Sequence, residues 1–128
     1  MSYRLPSIAT VATVTAGLLF TSGVTAHHGW SWAEPEQMQL TGTVKNVSIA
    51  PPHPSLDIET QEGESWHIQL GNPAGTARSG FDEDSAEAGD EITVVGNRSQ
   101  DRSELRMKAV QVTVDGKTYD IYPERVEQ

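Results

Sequence analysis

Cysteine is absent from the 128 residues, which excludes disulfides and every thiolate metal site. Basic residues are scarce: 9 Lys and Arg stand against 18 Asp and Glu, a formal net charge of −9. Nucleic-acid affinity comes largely from Lys and Arg neutralising phosphates. The charge balance therefore predicts no nucleic-acid partner, and repulsion from anionic membrane surfaces. Cations are the small partners it favours, although acidity also serves solubility alone. No apolar run reaches the about 20 residues that a membrane-spanning helix needs. The GxSxG elbow, the HExxH pair and the glycine-rich phosphate loop are all missing. With no repeat and no low-complexity segment, the chain reads as one small domain that is not an enzyme.

What is present begins with a leader. Arg4 is the only charge in the first 26 residues, the stretch Ile8 to Phe20 is apolar or small, and Val24 and Ala26 occupy the −3 and −1 places of a small-residue cleavage site. A basic start, a short apolar core and an A-x-A-like end predict a secretory signal peptide over residues 1–26. The mature protein is then expected in the periplasm or secreted, without Arg4 and one unit more acidic.

Residues 27–36, HHGWSWAEPE, have no period and hold two of the three tryptophans. They are expected to form an N-terminal arm, anchored on the domain by Trp30 and Trp32. Residues 37–122 alternate as strands do. Leu40, Gly42 and Val44 share one face of a strand over 37–49, with a switch of face near Asn46 and Val47 that predicts a bulge. Pro51, Pro52 and Pro54 interrupt the ladder. Leu56 to Thr60 and the Trp66, Ile68, Leu70 series form a hairpin about Gln61–Glu64. Asn72-Pro73 is a helix start, and the helix has two turns at most before Gly80. Strands follow over 91–96 and 105–114, the second slipping at Ala109-Val110. Asp115-Gly116 is a hairpin turn leading to a short strand, and a polar tail occupies 123–128. The order of three strands, a short helix and two strands predicts a mostly β fold: a small five-stranded OB-like Greek-key barrel with one short helix, behind a cleaved signal peptide.

Several segments together resemble a known family. HHGW after a signal, then LTGTVKNV, PPHP, WHIQLGNP and AGDEITVVG, are similar to domain-of-unknown-function family 6152, small exported bacterial proteins. The likeness covers nearly all of residues 26–114. This chain departs from the pattern at Pro52, where Asn is usual, and in a smaller helix. The resemblance implies an exported OB-like barrel and supplies no activity.

Four histidines remain: His27, His28, His53 and His67. Cleavage after Ala26 makes His27 terminal, so its α-amine and imidazole can chelate one metal, in the manner of the histidine brace of exported copper proteins. Cu(II) favours such nitrogen donors. His53, stiffened by Pro52 and Pro54, and His28 are the candidate further ligands, and His67 alternates outward on its strand. The expected role is metal handling or delivery with copper as the ligand. The alternative is a binding module for a peptide, glycan or protein, using the face of the second and third strands. No protein partner is specified, and a monomer or weak oligomer is expected.

Overall fold

The computed structural model describes residues 2–3 and 29–127. Residues 4–26 of the predicted signal, and the candidate ligands His27 and His28, lie outside the described residues. The elements are β1 (Met38–Ser48), β2 (Ser55–Glu59), β3 (Ser65–Gln69), α1 (Pro73–Arg78), β4 (Glu91–Arg98), β5 (Arg106–Val114), β6 (Lys117–Asp120) and a 3₁₀ turn, Pro123–Arg125.

Strands β3-β2-β1-β4-β5-β6 form one sheet in that order, and β3 also pairs with β5, in parallel. That last pairing closes the first five strands into a barrel, and β6 extends it as a hairpin on β5. The fold is the mostly β, OB-like barrel with a short helix between β3 and β4 that the sequence predicts.

Alternation explains the core. Leu56, Ile58, Trp66, Ile68, Ile92, Val94, Met107, Val112 and Val114 point inward and are buried. Each side chain of this kind contributes about 1.5–3 kcal/mol when fully buried. Phe81 and Ala86, from the segment between α1 and β4, join the same core, and Phe81 meets Tyr119 edge to face at 5.2 Å. Asn72 caps α1 through its side-chain oxygen, which accepts from the Gly75 N–H at 2.7 Å.

Two irregularities let the strands curl. β1 shifts register between Val44 and Asn46, and β5 carries an extra residue, Val110, opposite the step from Val95 to Gly96. Glycine is required just before the first bend and at the second. A Cβ on Gly42 would lie 2.6 Å from the Glu59 carbonyl oxygen, and one on Gly96 would strike the Lys108 carbonyl. The tail is not a loose polar end: its 3₁₀ turn returns Arg125 to the outside of the barrel, where it lies on Trp30.

Because the Gly96 contact is with backbone, Gly96→Ala should force the β4–β5 bulge apart. We expect a loss of about 1–3 kcal/mol in urea unfolding, with the far-ultraviolet spectrum unchanged.

Candidate functional site

The outer face of the barrel carries one polar row that runs across four strands. Asn46 of β1 stands opposite Asp57 of β2, Asp57 opposite His67 of β3, and His67 opposite Arg106 of β5. Directly opposed residues share a face, so closure of the barrel aligns side chains from four separate segments. His67 Nδ1 lies 2.9 Å from Asp57 Oδ1. A carboxylate only accepts, so Nδ1 is the donor of this bond, and the imidazole is half-exposed. Asn46 Nδ2 lies 3.5 Å from the other Asp57 oxygen.

Arg106 ends the row. Its Nη2 donates to Gln69 Oε1 at 3.1 Å, and its guanidinium lies 3.7 Å from the centre of the Trp32 ring. Trp32 is delivered by the arm, which is fixed to the end of β4 and the following loop. Glu34 N–H donates to the Arg98 carbonyl, Gln100 N–H donates to the Trp32 carbonyl, and Ala33 forms a bridge with Ser99.

Beside this row lies a second cationic group. Lys108, two residues along β5, is 2% exposed. Its ammonium donates to the Gly29 carbonyl at 3.0 Å and faces the rings of Trp30 at 5.0 Å and Tyr122 at 5.6 Å. Arg125 lies 3.9 Å from the centre of the same Trp30 ring. Cation–ring attraction strengthens where water is excluded, and here it ties arm and tail to β5. Among the described residues, Arg106, Lys108 and Arg125 have no carboxylate within ion-pair distance; the ion pairs are Lys45–Glu59, His67–Asp57 and Arg102–Glu34. Burial, then the charges of Arg106 and Arg125, push Lys108 down to about 8.

Of the histidines named by the sequence, His27 and His28 lie outside the described residues, and His53 and His67 are on different elements. His53 is exposed in the loop between β1 and β2, and His67 is engaged with Asp57 in the row. Among the described residues there is no group of three His, Asp or Glu that could hold a metal. The side chains that reasoning from sequence missed are Arg106, Lys108 and Arg125. The available signal was the flanking of an inward Met107 by two outward cations.

The chain belongs to the family of unknown function DUF6152, whose model matches residues 18–107. No curated protein matches the sequence. Among solved structures, a chain of the Schizosaccharomyces pombe Stn1–Ten1 complex is similar at TM-score 0.51 and 17% identity, over 61% of this chain and 57% of that one. The DUF6152 chain thus spans little more than half of that neighbour. The mitochondrial single-stranded DNA binding protein Rim1 of Saccharomyces cerevisiae gives TM-score 0.47 and 10% identity, over 62% of this chain and 93% of that one. The first of these likenesses agrees with the barrel type that the strand pairings show.

The fold also corrects one expectation. The exclusion of nucleic acid from net charge does not stand, because the chain closes into an OB-type barrel, a scaffold that takes oligonucleotides in other proteins. The physical reason is that whole-chain charge is not local charge. Three cations and three aromatic rings gather on one side of an otherwise acidic molecule.

Lys108 supplies a test of the cluster. The native chain loses the Lys108 proton near pH 8, whereas an unfolded lysine keeps it to about 10.5. Between those values the unfolded state binds more protons, so stability rises with pH. Relative to Lys108→Met, the wild type should be level below pH 8 and gain stability from pH 8 to 10.5 in urea unfolding. A difference that stays flat throughout would contradict the buried ammonium.

Proposed function

We propose that this member of DUF6152 is an exported, non-catalytic binding module that takes an extended ligand bearing carboxylate or phosphate groups across the outer face of β2, β3 and β5. The observation that carries the reading is Arg106. Its guanidinium is fixed by Gln69 and Trp32, only partly buried, and meets no carboxylate among the described residues. Arginine held in one orientation is suited to forked recognition of carboxylate or phosphate.

The setting supports the same reading. OB barrels commonly take oligomeric ligands on the face of the second and third strands. The row from Asn46 to Arg106 spans three strand spacings, roughly 14 Å, which fits several units of a chain better than one small molecule. It offers acceptors at Asp57, a ring nitrogen at His67 and an amide at Asn46. The inward placement of Trp66 leaves Trp32 as the ring bordering this face. Export follows from the leader read in the sequence.

Copper binding through a terminal His27 is the other reading, and its support is the sequence alone. Gly29, close behind His27 in the chain, is held by the Lys108 ammonium. An ammonium repels a metal cation, so the described surroundings favour the binding module.

The test is fluorescence anisotropy of the mature protein with three labelled probes: a glutamate decapeptide, an oligouronate and oligothymidylate. At least one should bind and weaken with salt. Arg106→Gln should lower that affinity at least tenfold, and amide shifts should fall on Ser55–Glu59 and Ser65–Gln69. Failure of all three probes, or equal binding by the variant, would overturn the proposal.

A further inference from the structure

A second surface lies at the opposite half of β1 and involves neither Arg106 nor Trp32. β1 is longer than its partner β2. Its first half, Met38 to Thr43, pairs with β4, and its pairing with β2 starts only at Thr43, opposite Glu59. Main-chain groups of a strand alternate in direction. Val44 exchanges bonds with Asp90 and Gly89 on the β4 side. Leu40 and Gly42, at even spacing from it, face β4 as well, and Gln39 and Thr41 face the other way. Opposite those two residues, the chain after Glu59 turns into the loop Thr60–Glu64, which is closed on itself by the Thr60 N–H to Glu64 carbonyl and Gly63 N–H to Thr60 carbonyl bonds. Among the described residues no strand faces Gln39 and Thr41. A groove of about 570 Å³ lies there instead.

An open strand edge is a template for another strand, and proteins blunt such edges with proline, lysine or a covering segment. This edge has no proline, and the lysine beside it, Lys45, is paired with Glu59. What surrounds it is negative: Glu59, Glu62, Glu64 and Glu91 line the groove. That ring repels a second copy of this acidic chain and attracts lysine and arginine. The geometry points to a docking edge on β1 for an extended basic segment of a partner protein, which adds as a strand through the main-chain groups of Gln39 and Thr41. This is strand addition, in which main-chain bonds give affinity and flanking side chains give selectivity.

The probe is a labelled octapeptide that alternates lysine with valine and threonine, added to the mature protein. It should bind, weaken at least fivefold between low and high salt, and move the amide signals of residues 39–42. The same peptide methylated on alternate backbone nitrogens should bind at least tenfold more weakly. Thr41→Pro removes the outward N–H without touching the β4 ladder and should abolish binding. Glu62→Lys with Glu64→Lys keeps the backbone and should also abolish it. Undiminished binding of the methylated peptide or of either variant overturns the inference. So does the absence of binding, or concentration-dependent self-association through residues 39–42, which would make a second copy the occupant.

Discussion

The parallel pairing of β3 with β5 is the constraint on which the remainder of this molecule depends. It is only three residue pairs long: His67 with Arg106, Ile68 with Met107, Gln69 with Lys108. Its inward side is carried by Ile68 and Met107, both 0% exposed. Its outward side sets His67 beside Arg106 and Gln69 beside Lys108. One seam therefore closes the core and completes the polar row. A sheet with the same strands left open would keep its hairpins and lose the site, because Arg106 would have no β3 neighbour.

Charge is partitioned around that seam. The arm, β5 and the tail bring cations and aromatic rings together, and the groove at the first half of β1 collects glutamates. A buried ammonium such as Lys108 persists without a carboxylate because a carbonyl oxygen accepts a hydrogen bond from it and two rings lie beside it. The same contacts hold the arm, and the arm holds Trp32 over Arg106. The fold, the arm and the binding face are thus one mechanical unit, in a molecule whose net charge describes the groove at β1 and not the cationic cluster.

Much of this was legible in the chain because it is local. Alternation marked β1 to β5 to within a few residues, the face switch near Asn46 and the slip at Val110 marked the bulges, and Asn72-Pro73 and Asp115-Gly116 marked the helix start and the last turn. What was not legible is what joins distant segments. Nothing near Arg106 in sequence announces Trp32, Gln69 or His67, since they arrive from the arm and β3. The tail reads as polar and becomes a 3₁₀ turn, because Arg125 finds Trp30 only after folding. Attention to the terminal amine and the proline step favoured His27, His28 and His53 as site residues. His67, which alternation merely turned outward, is the histidine that the barrel places in the row.

The most direct measurement is native-state hydrogen exchange at the His67 amide, which donates across the seam to the Leu105 carbonyl at 2.9 Å. If closure by β3 and β5 holds the molecule together, this amide exchanges only through global unfolding. Its opening free energy and its dependence on urea will then equal those of Val94 in the middle of β4. Exchange at His67 that is much faster than at Val94 and insensitive to urea would show a seam that opens by itself, and would contradict the account.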